Sequence, residues 1–246
     1  MKIIITKDYE ELSLRAFEVI KEVVANKPDA VLGLATGSTP LGLYANMIKD
    51  HRTAGTSYRG VRAVNLDEYA GLPPTNDQSY RYFMKHNLFD GIDIDPANTF
   101  IEDGLAADVQ KECDRYDAIL ASLPRDVQVL GIGANGHIAF NEPGTPFDLT
   151  THVVELTQNT IQMNSRFFAS EADVPRKAFT MGPKSIMDAK RILILAVGSN
   201  KAEAVRGMVE GEVTEDLPAS ILQRHPDCIL IADEQAASLL GKGGNK

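Results

Sequence analysis

The sequence predicts a doubly wound α/β fold, in which a mostly parallel sheet is covered by helices on both faces. Three observations predict it. Short apolar runs lack the period-2 alternation of half-exposed strands, amphipathic segments separate them, and several of the runs end in clusters of glycine, hydroxyl and charge.

Taken in order, KIIIT (Lys2–Thr6) reads as the first strand. Residues 8–26 then carry Leu12, Phe17, Val19, Ile20, Val23 and Val24 at helical spacing. AVLGLA (30–35) is a buried strand, and Pro40 suits the first position of a following helix. VRAVNL (61–66) is the next strand, and 79–89 and 106–123 read as helices. VQVLGI (127–132), HVVEL (152–156), RILILAV (191–197) and 227–231 complete the strands, with helices expected over 201–210 and 233–240. No repeat, low-complexity tract or linker interrupts the alternation. Residues 1–246 are therefore read as a single Rossmann-like domain, with the polar stretch 157–175 as its expected lid.

Composition excludes several classes. The net charge of -9 argues against nonspecific nucleic-acid binding, which needs a field of Lys and Arg. Cys113 and Cys228 are too few and too far apart for a disulfide framework or a zinc site. The other histidines, His51, His86, His152 and His225, form no metal spacing. The N-terminal apolar run is too short for a signal peptide, and no segment approaches the ~18 apolar residues of a membrane span. The expectation is a cytoplasmic protein with a small-molecule substrate and neither nucleic-acid nor membrane partner.

The polar clusters locate a site. Strand 30–35 runs into Thr36-Gly37-Ser38-Thr39, strand 61–66 into Asp67-Glu68, strand 127–132 into Gly133-Ala134-Asn135-Gly136-His137, and strand 191–197 into Gly198-Ser199-Asn200-Lys201. In a parallel sheet all of these share the carboxyl edge, where open α/β folds bind ligands. TGST ahead of a helix suits a phosphate, although Ser38 or Thr39 could equally be an ordinary cap. Lys201 could supply a cation to the same anion. Arg166, within NSRFF, is either a lid arginine closing on a phosphate or a solvated surface residue. Of the adjacent carboxylates, one is expected to face the crevice while the other packs or caps.

GIGANGHIAFNEPG (131–144) matches the dinucleotide pattern G-x-G-x-x-G, yet Pro143-Gly144 halts the chain before a crossover helix can form. The match is a decoy. Its glycines instead make a tight turn exposing His137, with Glu142 placed to hold the imidazole in one tautomer.

With these residues in view, the chain resembles the short glucosamine-6-phosphate deaminases over almost its whole length. LGLATGSTP, VNLDEYAGL, SYRYFM, GIGANGHIAFNEPG, NSRFF, GSNKA and SILQRHP match that family's pattern in order. GHIAFNEP and NLDEY separate it from the related 6-phosphogluconolactonases, which share the fold and a Gly-His turn. The resemblance implies a reversible conversion of glucosamine 6-phosphate and water to fructose 6-phosphate and ammonia, without metal or organic cofactor. It implies that His137, held by Glu142, assists ring opening and that Asp67 moves the proton between C2 and C1. Thr36, Gly37, Ser38, Thr39, Arg166 and Lys201 would hold the phosphate. Many members have aspartate where this chain has Asn135, which can orient but carries no charge. Allosteric members bind N-acetylglucosamine 6-phosphate through basic residues after the NEP motif. Here GTPFDLTTHVVEL has neither Arg nor Lys, so no such activation is expected, and either a monomer or a homo-oligomer is compatible. A lactonase and a non-catalytic sugar-phosphate sensor remain the alternatives.

Overall fold

The computed structural model describes residues 1–165, 168 and 170–241. Its main sheet is parallel throughout, in the order β1-β10-β9-β6-β2-β3-β5. These strands are β1 (Lys2–Thr6), β2 (Val31–Leu34), β3 (Arg62–Asn65), β5 (Thr99–Phe100), β6 (Val127–Gly131), β9 (Ile192–Ala196) and β10 (Cys228–Asp233). Every residue of β2, β9 and β10 is buried. Successive side chains point to opposite faces, so both faces are covered, as the unalternating apolar runs require.

The chain order reverses between β2 and β6. From β2 it proceeds outward through β3 to β5; β6 then returns to the other flank of β2 and leads to β9 and β10. This switch point opens a crevice at the carboxyl ends of β2 and β6.

The helices begin where the sequence supplies caps. α1 (Tyr9–Asn26) starts with the Asp8 carboxylate accepting the Glu11 N–H, with Glu10 and Glu11 in its first turn. Its inward face buries Ala16 together with Leu12, Phe17, Ile20 and Val24, the last four each contributing about 1.5–3 kcal/mol. α2 (Leu41–Ala54), α3 (Tyr80–Asn87), α4 (Val109–Ser122) and α7 (Ala202–Glu210) realise the remaining expected helices, apart from the last.

Three expectations need correction. HVVEL is a strand, β7 (His152–Glu155), but it does not join the parallel sheet. It pairs antiparallel with β8 (Lys177–Thr180), which pairs antiparallel with β4 (Asp67–Ala70), forming a separate three-stranded sheet. Its burial pattern, half-exposed rather than continuous, fits a sheet with a wet face. Residues 234–241 form turns, not a helix, because Asp233 belongs to β10 in register with Thr6. The Asp233 carboxylate accepts the N–H groups of Gly198 and Ala236, which holds the chain in that exit. Pro40 caps α2 from outside instead of occupying its first position. Within the polar stretch 157–175 the chain forms α5 (Gln158–Ser165), and α6 (Pro183–Met187) follows β8.

Candidate active site

The parallel registers bring the four polar clusters to one edge. Across the sheet they follow β9 (Gly198 to Lys201), β6 (Gly133 to His137), β2 (Thr36 to Thr39) and β3 (Asp67) on neighbouring strands. With about 4.8 Å between strands, β9 and β3 lie about 14 Å apart, a span suited to a small phosphorylated molecule.

After β2, Gly37 takes φ +88°, a left-handed conformation that favours glycine. The cap alternative for Ser38 and Thr39 is not realised: α2 begins without a side-chain cap. Tyr9 Oη instead donates to the Ser38 and Thr39 carbonyls and accepts the Gly42 N–H. That fixes the loop backbone while the hydroxyls of Thr36, Ser38 and Thr39 make no hydrogen bond to the described residues. Gly37 and Ser38 border a cavity of about 220 Å³ whose far wall includes Tyr69, Tyr80 and Phe168.

The turn after β6 explains the glycines of the decoy pattern. Gly133 N–H donates to the His137 carbonyl at 2.8 Å and Gly136 N–H to the Gly133 carbonyl at 3.0 Å, closing the loop on itself. A Cβ on Gly133 would lie 2.4 Å from the His137 ring, so the imidazole lies directly over that backbone. Gly136 has φ +83°, and no crossover helix follows. His137 Nδ1 stands 3.5 Å from Glu142 Oε1, within ion-pair reach and longer than a good hydrogen bond. Asn135 Nδ2 donates to Glu142 Oε2 at 2.7 Å, and Asn135 Oδ1 accepts the His137 N–H at 3.3 Å. Asn135 thus bridges the carboxylate and the backbone of the histidine that face each other.

Asp67 sits where the chain leaves β3 and enters β4, at the seam between the two sheets. The adjacent carboxylates divide their tasks. Glu68 accepts N–H groups from Tyr69, Tyr80 and Arg81 at 2.8 to 2.9 Å, closing the N-terminus of α3 beside its Ser79 cap. Burial nonetheless raises its pKa against these donors. Asp67, 6% exposed, accepts no hydrogen bond from the described residues. Burial, reinforced by the Glu68 charge, pushes its pKa up to about 8. Such a carboxyl has the proton affinity of a base matched to neutral solution.

Lys201 closes the row. It is half-buried and has no carboxylate partner among the described residues, and burial lowers its pKa. An anion there would meet a cation not already committed. Arg166 lies outside the described residues. No group of three or more His, Cys, Asp or Glu side chains among the described residues is arranged to hold a metal ion. Sequence reading missed Thr180 and Asn141, both fully buried, which tie the loops together; β8 gave no signal beyond four residues of weak strand character.

A parallel α/β sheet with a raised-pKa carboxyl, a carboxylate-faced imidazole and an anion-ready glycine turn on its carboxyl edge defines an enzyme class acting on phosphorylated small molecules. The comparisons narrow it. The model of the family described as glucosamine-6-phosphate isomerases/6-phosphogluconolactonase matches residues 8–230, and the chain belongs to that family. Among its relatives, a glucosamine-6-phosphate deaminase of Geobacillus sp. is 53% identical over 98% of this chain and 96% of its own length. One from Clostridioides difficile is 51% identical, covering 98% and 97%. A solved structure described as a monomeric glucosamine-6-phosphate deaminase superposes with TM-score 0.95 at 49% identity, covering 97% of this chain and 100% of that one. A 6-phosphogluconolactonase from Trypanosoma cruzi, at 20% identity and TM-score 0.80 over 98% and 97% of the two chains, shares the fold.

Proposed function

We propose that this chain is a glucosamine-6-phosphate deaminase: glucosamine 6-phosphate and water give fructose 6-phosphate and ammonia. The observation that carries the reading is the His137–Glu142–Asn135 arrangement sharing one sheet edge with the buried Asp67.

The phosphate sits on the Gly37 turn, held by its backbone N–H groups, the hydroxyls of Thr36, Ser38 and Thr39, and Lys201. Through the family resemblance, Arg166 is a further candidate for holding the phosphate. Anchoring the phosphate fixes the sugar's other end, so binding energy is spent on orientation. His137 moves a proton between the anomeric hydroxyl and the ring oxygen, opening the ring. Glu142 steadies the charge that forms on the imidazole, and Asn135 keeps Glu142 aimed. Asp67 takes the proton from C2, giving an enolamine, and returns it to C1. The resulting ketose imine adds water and releases ammonia. The steps exchange protons and water with no net redox change.

On this reading the chain works in the cytoplasm and as a monomer, the state that the solved relative's description gives for that protein. Ammonia release from glucosamine 6-phosphate by purified, chelator-treated protein tests it. Sustained release is expected; hydrolysis of 6-phosphogluconolactone without ammonia from the amino sugar would contradict it. Replacing Lys201 by Ala should raise KM about 10–100-fold with a smaller effect on kcat, the range for losing a charge-assisted contact.

A further inference from the structure

The groups assigned above to proton transfer come from two segments about 70 residues apart in sequence, Asp67 on β4 and His137 to Glu142 after β6. Neither segment positions the other directly through a hydrogen bond among the described residues. Both are fastened to a third element, the end of β8. On one side, Thr180 is in antiparallel register with Asp67, and the Met181 N–H donates to the Leu66 carbonyl at 2.8 Å. On the other, the Thr180 hydroxyl oxygen accepts the Phe140 N–H at 3.2 Å, and the Met181 carbonyl accepts Asn141 Nδ2 at 2.8 Å. Asn141 Nδ2 donates also to the Ile138 carbonyl at 2.9 Å, folding residues 138–141 into a closed turn. Ala139 within it has φ +51°, a conformation costly for any residue with a Cβ.

Thr180, Met181, Ile138 and Asn141 are all 0% exposed. The two Asn141 bonds are therefore shielded from water, and the Thr180 hydroxyl meets the half-buried Phe140 N–H from its buried side. The bond from Thr180 falls on Phe140, between His137 and Glu142 in the chain. The one that the Met181 carbonyl accepts comes from Asn141, the residue before Glu142.

We propose, on the deaminase reading, that Thr180 and Asn141 are positioning residues: the two-residue clasp Thr180–Met181 sets Asp67 at its working distance from His137 and Glu142. The clasp leaves substrate affinity to other parts. The Gly37 turn and Lys201 follow β2 and β9, which β8 does not pair with. Loosening the clasp thus displaces the reacting groups relative to each other while the phosphate remains held. A displacement of about 1 Å between such groups costs on the order of 100-fold in rate.

Thr180→Val keeps the shape of the side chain and removes the acceptor for Phe140 N–H. Expected is a fall in kcat of about tenfold or more, with KM for glucosamine 6-phosphate within about twofold of the parent. Thr180→Ser, which restores the hydroxyl, recovers most of kcat. Thermal unfolding of each variant is measured alongside, with assays run well below the lowest Tm. A Thr180→Val protein with parental kcat, or one whose KM rises as much as kcat falls, overturns the proposal. So does a Ser variant as impaired as the Val variant. If Thr180→Val does not fold, Asn141→Asp carries the same test, with the same split between kcat and KM required. Absence of ammonia release from the parent would instead strike the deaminase reading itself.

Discussion

Asp67 is the residue on which the chemistry turns, and its environment makes two measurable demands. Its carboxyl must be ionised to act as a base, and burial with Glu68 beside it raises its pKa to about 8. The acidic limb of kcat/KM should therefore break near pH 8, falling tenfold per unit below it, and Asp67→Asn should abolish that limb together with turnover. On the alkaline side, the lowered pKa of Lys201 removes the phosphate's cation earlier than an ordinary lysine would, so KM should rise there. Stability carries the opposite sign. Below the ordinary carboxyl value of 3.8 both folded and unfolded forms hold the Asp67 proton. As pH rises toward about 8 the unfolded chain releases it first, so folding loses stability through that window and levels above it. Asp67→Asn escapes this loss. Thermal unfolding at pH 8 should show the variant more stable than the parent, by about 2–4 °C in Tm per kcal/mol recovered. A variant with reduced Tm would mean that Asp67 is a structural partner, not a strained base.

At the level of elements, the turn after β6 was legible because everything it needs is local. The glycines, the imidazole and the carboxylate lie within a dozen residues, and the early Pro143-Gly144 already excluded a crossover helix. Gly133→Ala should displace the His137 ring, since the new Cβ would stand 2.4 Å from it; kcat should fall about 100-fold with the fold retained by circular dichroism. The β4–β8–β7 sheet was legible only in β7, which HVVEL announced as a strand without announcing its antiparallel partners. β4 and β8 are four residues each, and what makes them strands is pairing with segments far along the chain, not a pattern within themselves. The expected helix at 233–240 failed for a related reason. Asp233 is claimed by β10 and by the Gly198 N–H, and no sequence pattern announces a bond across 35 residues. That bond also braces the loop ahead of Lys201, so Asp233→Ala should raise KM about tenfold, the cost of one or two lost hydrogen bonds.

For the whole molecule, the parallel sheet was readable because strands buried on both faces must be apolar throughout, and helices must separate them. The same topology explains how distant loops form one site: with all strands of the main sheet parallel, their polar carboxyl ends face the same way. It also bears on regulation. The segment after the NEP motif contains no Arg or Lys, so adding N-acetylglucosamine 6-phosphate should leave the saturation curve hyperbolic and its midpoint unchanged.

The central claim is that one rim both grips the phosphate and transfers the proton, with Asp67 serving only the second task. Ammonia release and equilibrium binding of glucosamine 6-phosphate, measured on the parent and on Asp67→Asn, test it together. The account predicts a variant that binds with parental affinity and releases no measurable ammonia; a variant that still turns over at the parental rate would contradict it.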